Sequence, residues 1–406
     1  MKEAQSLKGH AWVITSVAFS PDGERFVTGS FDGTAKVWRT GAAQERTELA
    51  FEDVDLGGVH VAAFRPDSAR FTTFVHRKGG DTITLCDSTT GTAIRSYRFE
   101  VDLGELSFGT ARPDGRLLVG DRGRGFFLCD LGADPPCRKI DNIPDGSSFL
   151  ALSPDLSRLA TADAGGVITL MEAASGKKLC SLPDTAQSAS FSRDQYASFS
   201  PDGSRLLTFG VKSAATLWDA RTGKKIGVVG PKEANGWFSP DGTFLLTGGG
   251  KSALTLWNAK TGAKLRELLA PETHVYSIAF SPDSRTLAIT PGGAAPVREF
   301  PIRLFHLPGG EEMAVCSGHA QAVTGLAFSP DGRRLASASG NIYRPNSGEV
   351  RLWDVASGSE VLSLRGQSTA VLGVSFSPDG RFLLGKGPYK VVVWDGGPQP
   401  QLIPGP

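Results

Sequence analysis

A four-residue turn recurs at a near-constant interval along this chain of 406 residues. Ser20-Pro21-Asp22-Gly23 returns as Arg65-Pro66-Asp67-Ser68, then around Pro113, Pro154, Pro201, Pro240, Pro282, Pro330 and Pro378, nine copies about 45 residues apart. A fixed period of this length marks a repeat architecture, in which a small unit buries its apolar face only against its neighbours. A chain this long otherwise divides into two or three domains. The repeat instead predicts one body that offers a surface to partners more readily than a single pocket for chemistry.

Each repeat reads as four short strands. The first alternates apolar and polar residues up to the Pro-Asp turn, as in Thr15-Ser16-Val17-Ala18-Phe19. An apolar residue lies shortly before the turn in every copy: Phe19, Phe64, Ala111, Leu152, Phe199, Phe238, Phe280, Phe328 and Phe376. Period-two alternation with β-branched and aromatic residues indicates strands. Pro presets the first corner of a type I turn, and Gly takes the left-handed position that closes the hairpin. Ser68, Leu156 and Ser284 replace that Gly. A second strand (Arg25 to Ser30), a short turn, a third strand (Thr34 to Trp38) and a Thr-Gly or Ser-Gly turn lead to a more polar fourth strand. Four-stranded antiparallel sheets repeated radially make a β-propeller, and no segment has convincing helical periodicity.

The bulk numbers exclude several alternatives. Lys and Arg total 43 against 42 for Asp and Glu, which gives no support to the basic face of a nucleic-acid binder. The 50 glycines and 25 prolines sit mostly at regular turns and do not signal disorder. The five cysteines, Cys86, Cys129, Cys137, Cys180 and Cys316, are odd in number and hold no CxxC pair, which argues against a disulfide framework or a zinc site and suits a reducing compartment. No apolar run is long enough for a membrane span, and Met1 to His10 lacks a signal-peptide core. The expected location is the cytoplasm, with no membrane partner.

Trp218-Asp219, Trp353-Asp354 and Trp394-Asp395 end third strands, and Gly9-His10 and Gly318-His319 open repeats. With the Ser-Pro-Asp-Gly turns, these resemble the WD40 repeat in the variety common in bacteria, over residues 3 to 395. The resemblance implies a hydrogen-bonded set of His, Ser or Thr, Asp and Trp within a repeat. Repeat 1 matches best, with His10, Thr28 or Ser30, Asp32 and Trp38. Repeat 8 keeps His319, Ser337 or Ser339, and Trp353, but its Asp position is lost in an insertion. The Trp position is filled by Trp38, Cys86, Cys129, Met171, Trp218, Trp257, Phe305, Trp353 and Trp394, all apolar, so the slot reads as buried and structural.

Glu3-Ala4-Gln5-Ser6-Leu7-Lys8-Gly9-His10 matches the fourth strand of repeat 8, Glu360-Val361-Leu362-Ser363-Leu364-Arg365-Gly366-Gln367, offset for offset. The last repeat has no fourth strand of its own. Residues 3–8 are therefore expected to complete it beside residues 389–395, closing a single all-β propeller of four-stranded antiparallel blades and removing its open edges. The expected domain is 1–395, with nine blades, the alternative being eight plus an irregular segment. Residues 396–406 form a Pro- and Gly-rich tail.

In WD40 proteins the loop into the first strand and the turn between the second and third lie on one rim, the top. Two enlarged turns are expected there: Pro291 to Pro301, holding Arg298, Glu299 and Phe300, and Gly340 to Gly348, holding Tyr343, Arg344 and Asn346. A long loop, Pro183 to Tyr196, brings Arg193 and Tyr196 to the same rim, and Arg122 and Arg124 share another tight turn. Long loops on a rigid scaffold often carry binding, and Tyr and Arg are enriched at hot spots. The alternative is drift, because surface turns tolerate insertion cheaply. His60, His76, His274 and His306 have no metal-ligand spacing, and no nucleophile elbow, HExxH, P-loop or dinucleotide fingerprint occurs.

The expected function is a non-catalytic interaction scaffold or sensor module. It would present its top rim to a protein or peptide, as one subunit of a larger effector complex, with no cofactor, no metal and no nucleic acid, and monomeric on its own. The alternative is a small-ligand binder or enzyme at the channel mouth, which requires polar or titratable groups converging on the axis.

Overall fold

The structure is a computed structural model. It describes residues 2–7, 9–40, 45–51, 54–77, 80–99, 116–121, 125–133, 136–144, 146–163, 165–183, 195–210, 213–249, 252–292, 300–344, 346–367 and 370–396. Every regular element among them is a strand. The strands form nine antiparallel sheets, eight of four strands and one of three. The three-stranded sheet is Arg116–Asp121, Gly125–Asp130 and Cys137–Lys139. Residues 100–115, where its first strand is expected, lie outside the described residues, as do Arg122 and Arg124. No helix among the described residues is long and apolar enough to cross a membrane.

The chain divides into two compact units. One comprises 1–98, 299–301 and 314–406, the other 99–298 and 302–313. The first unit holds the sheets of repeats 1, 2, 8 and 9. In the ninth sheet the order is Lys2–Leu7, Val391–Asp395, Phe382–Lys386, Gly373–Phe376, so a strand from the start of the chain supplies the fourth place. Its register runs from Lys2 opposite Asp395 to Leu7 opposite Val391.

The repeated turn explains the uniform hairpins. In the first sheet (Ile14–Phe19, Arg25–Ser30, Thr34–Arg39, Glu45–Ala50) the Gly23 N–H donates to the Ser20 carbonyl at 2.9 Å. The Ser20 hydroxyl donates to Asp22 and accepts from the Arg25 N–H at 3.0 Å. The same Ser-to-Asp bond recurs at Ser153, Ser200, Ser239, Ser281, Ser329 and Ser377. Gly23 sits at φ 70°, and Ser68, Leu156 and Ser284 adopt φ 55°, 57° and 58° without glycine. Two of these exceptions carry a compensation. The Ser68 hydroxyl accepts the Asp22 N–H at 3.0 Å, and the Ser284 hydroxyl accepts the Asp241 N–H at 3.1 Å, each from the preceding sheet's turn. A hydrogen bond between turns thus offsets the left-handed strain. Leu156 is instead buried among Phe126, Ile140 and Met171.

Of the nine Trp-position side chains, eight are buried and Trp257 is half-buried. Four indoles donate to a hydroxyl two residues past their register partner: Trp38 to Thr28 at 2.9 Å, and Trp218 to Thr208, Trp257 to Thr247 and Trp353 to Ser337 at 2.8 Å. A buried indole needs such an acceptor. In the ninth sheet that position is Gly385, where a β-carbon would lie 2.8 Å from the Trp394 ring. There the glycine makes room for the ring in place of the hydroxyl.

The cysteine expectation needs correction. Cys129 and Cys137 are register partners and form a disulfide. Opposed positions on antiparallel strands bring side chains within reach, a proximity that spacing in sequence does not reveal. Cys86, Cys180 and Cys316 are thiols, and burial pushes those of Cys86 and Cys316 up to about 12.

Two stability outcomes follow from these contacts. Trp218→Ala should cost about 3–5 kcal/mol in urea denaturation, the usual cost of emptying a large aromatic site. Ser68→Ala keeps the positive φ and loses the Asp22 bond, so it should cost about 1 kcal/mol. Ser68→Gly relieves the strain and should be the more stable of the two. The reverse order would show that the left-handed strain does not matter, and a Ser68→Ala variant as stable as the parent would show that the turn-to-turn bond does not.

Candidate functional site

Antiparallel strands place the loops at 9–13, 31–33, 340–347 and 387–390 at the ends of their sheets opposite the Pro-Asp turns. In the first sheet, His10 links this rim to the core. Its Nε2 lies 2.7 Å from the Thr28 hydroxyl, which accepts the Trp38 indole N–H, and its Nδ1 lies 2.9 Å from Asp32 Oδ2. Asp32 also accepts the Ala11 N–H at 2.7 Å and the Thr34 hydroxyl at 2.7 Å. Burial opposes its charge, yet these donors and His10 prevail and hold the carboxyl below its usual range. This set pins the 9–13 and 31–33 loops together.

The eighth sheet (Val323–Phe328, Arg334–Ser339, Gly348–Asp354, Glu360–Gln367) builds the same relay from a different acid. His319 Nε2 lies 2.6 Å from Ser337, and Nδ1 lies 2.9 Å from Glu349. The carboxylate expected to be missing is therefore supplied. Glu349 stands opposite Ser339 at the start of the third strand, four residues before Trp353, as Thr34 stands before Trp38. A longer side chain on the strand reaches where the turn Asp would sit. Arg351 donates to Glu349 at 3.0 Å and to Glu360 at 2.6 Å.

The 340–347 turn, freed from that task, is folded on itself. Asn341 Oδ1 accepts the Tyr343 N–H at 2.8 Å, and the Ser347 hydroxyl donates to the Asn341 and Arg344 carbonyls at 2.9 and 2.8 Å. Asn346 takes φ 55°. The result raises Ile342, Tyr343 and Arg344 into solvent, with Tyr343 88% exposed. Phe300 is half-buried, and its N–H donates to the His319 carbonyl at 3.2 Å. Arg298, Glu299 and Arg193 lie outside the described residues. Tyr196 belongs to the second unit, where it stacks on Phe209 with centroids 5.6 Å apart.

Within the first unit the rim continues through residues that sequence reasoning missed. The Val371 N–H donates to the Ser339 carbonyl at 3.4 Å, and the Leu372 N–H to the Lys386 carbonyl at 2.7 Å. The Gly387 N–H closes the 387–390 turn on the Lys390 carbonyl, and the Ile14 N–H donates to the Pro388 carbonyl at 2.9 Å. This chain of bonds ties the eighth sheet to the ninth and the ninth to the first. Along it Leu372 is exposed, and Tyr389 and Trp12 are each 52% exposed. The Trp12 ring meets Phe31 edge-on at 6.2 Å. The signal in the sequence was the aromatic residues inside two loops of ordinary length, which drew less attention than the insertions.

Three stretches, residues 1–39, 310–354 and 358–395, match the family model for the WD domain, G-beta repeat. Over these stretches the chain resembles WD40 repeats. They contain both His–carboxylate relays and the strands at 373–395. WD repeat-containing protein 1-B of Xenopus laevis is 28% identical over 180 residues, 43% of this chain and 28% of that protein. Serine-threonine kinase receptor-associated protein of Homo sapiens is 51% identical over 39 residues, 10% of this chain and 11% of that protein. The chain thus matches less than a third of the length of either relative. The crystal structure of the computationally designed Ika8 protein is similar at a TM-score of 0.55 and 18% identity, covering 97% of this chain and all of that one, a likeness of fold alone. Together with the sheets, the repeat matches support a WD40 β-propeller. WD40 repeats generally mediate protein–protein interaction and are generally non-catalytic.

The Glu349 relay has a pH signature. Burial raises the pKa of this carboxyl, but bonds from His319 and Arg351 outweigh burial and bring it from 4.5 down to about 2. A depressed carboxyl stabilises the fold fully above its unfolded value and loses that contribution as pH falls through the folded one. Stability measured by urea denaturation should therefore fall between about pH 4.5 and 2 more steeply in the parent than in Glu349→Gln. Parallel curves would mean that Glu349 is not held as a carboxylate.

Proposed function

We propose that this chain is a non-catalytic recognition module, a nine-bladed WD40 propeller spanning 1–395 and closed by its first strand, that presents its top rim to a protein or peptide. The observation that carries the reading is the run of exposed Tyr343, Ile342, Leu372, Tyr389 and Trp12 on loops joined by backbone hydrogen bonds. Large apolar side chains cost free energy in water, and several on one rim are typical of a binding surface. Aromatic anchors on pre-folded loops also lose little entropy on binding. Phe300, Arg344 and Asn346 belong to the same face, with Arg298, Glu299, Arg193 and Tyr196 as further candidates.

The relative from Homo sapiens is named for association with a kinase receptor, and a similar part, as a subunit of a larger effector assembly, is proposed for this chain. In this reading the chain is a monomer when isolated, engages neither nucleic acid nor membrane, and is of the bacterial type. A cytoplasmic location belongs to the same proposal, although the Cys129–Cys137 bond pulls the other way.

The test is co-purification from the native host with quantitative mass spectrometry. It compares the parent with Trp12→Ala, Tyr389→Ala and a variant whose 341–347 segment is cut to a tight turn, after circular dichroism confirms folding. A stoichiometric partner of the parent should bind each variant at least tenfold more weakly, as expected for hot-spot residues. A partner retained by all three would move the contact off this rim, and a parent without any partner would remove the module reading.

A further inference from the structure

We propose that the rim of the eighth, ninth and first sheets takes an acidic peptide segment, with a peptide carboxylate held by the Lys386 ammonium and a flanking apolar side chain packed on Trp12, Leu372 and Tyr389. This rests on the reading above and names the chemistry of its partner.

Lys386 ends the second strand of its sheet, directly beneath the 387–390 turn. Its Nζ reaches across to the first sheet and donates to the Thr15 carbonyl at 2.8 Å. The ammonium therefore lies at the junction that the Ile14–Pro388 bond also spans, between the loops carrying Trp12 and Tyr389. Burial alone lowers its pKa, with no carboxylate among the described residues acting on it. An ammonium has three donors, and the Thr15 carbonyl uses one. The remaining two suit the paired oxygens of a carboxylate, and a half-buried cation gains most from a partner that brings the opposite charge. The rim's own acids do not fill this role. Asp32 is engaged by His10, Ala11 and Thr34, and Glu349 by His319 and Arg351.

The charge balance selects among anions. With 43 basic and 42 acidic residues the chain has no field suited to a polyanion such as nucleic acid. A phosphate group draws on several charged donors at once, whereas Lys386 offers one. Arg344, exposed on the neighbouring loop, adds a second positive charge farther along the rim and suits a peptide with acidic character beyond its anchor. The exposed rings supply the apolar half of the recognition.

The experiment pans a phage library of random dodecapeptides on the full chain and measures the best synthetic peptide by fluorescence anisotropy. Selected peptides should carry Asp or Glu within a few residues of an aromatic or aliphatic side chain. Changing that acid to its amide should weaken binding about 10- to 100-fold, the usual worth of a charge-assisted hydrogen bond. Lys386→Gln should cost as much, and the two changes together little more than either alone. The amide swap leaves the protein untouched, so it decides the matter even if Lys386→Gln does not fold. If binding is lost in Trp12→Ala and Tyr389→Ala but ignores both the amide swap and Lys386→Gln, the carboxylate anchor is wrong and the rim reading stands. If no selected peptide responds to Trp12, Tyr343 or Tyr389, both fall together.

Discussion

The short bond from a serine hydroxyl to an aspartate two residues later fixes the register on which everything else rests. In Ser20–Asp22 and its recurrences it locks the first hairpin of seven of the nine sheets, and the serine oxygen also accepts the N–H that starts the second strand. A hairpin slipped by one residue would turn every inward side chain outward. With that hairpin fixed, Phe19 faces Phe26 and Phe328 faces Leu335, and it is Phe26 and Leu335 that the next hairpin sets opposite Trp38 and Trp353. Burial of Asp155 opposes its charge, but the hydroxyl and backbone donors win, and its carboxyl falls to about 2. The turn is thus held by a charge that remains ionised over the whole physiological range.

A second consequence is that the relay from Trp through hydroxyl and His to an acid is a mechanical link between core and rim. In the first sheet the acid comes from the turn, and the turn is short and tightly held. In the eighth sheet it comes from the strand at Glu349, which leaves the turn at liberty to grow into the self-bonded 340–347 loop. The same chemistry therefore permits two kinds of rim, and the exposed Tyr343 depends on the substitution of a glutamate six residues farther along.

Most of the fold was legible because period-two alternation and turn chemistry are local properties. The repeat positions, the strand spans and the apolar slot all depend on neighbours within a few residues. The Lys2–Leu7 strand was legible by its likeness to residues 360–367, although its partner strand is far away in sequence. What escaped is what depends on register across strands. Glu349 in place of the lost aspartate, Cys129 opposite Cys137, and Gly385 under the Trp394 ring are all consequences of which residue faces which. The candidate rim was partly legible. The insertion bearing Tyr343 announced itself by length, whereas Trp12, Leu372, Tyr389 and Lys386 sit in loops and strands of normal size. They become a group only through hydrogen bonds between sheets. The Arg298, Glu299 and Arg193 expectations fall outside the described residues and contribute nothing to that group.

The pairing of Lys2–Leu7 with Val391–Asp395 sets a schedule for biosynthesis. Translation at about 5–20 residues per second separates the emergence of these two strands by roughly 20–80 s. Throughout that interval the earliest strand has no partner, while the hairpins behind it can form one after another from local contacts. The nascent chain therefore carries an unfilled strand edge throughout that interval, and the last residues of the ninth sheet to leave the ribosome are the ones that occupy it.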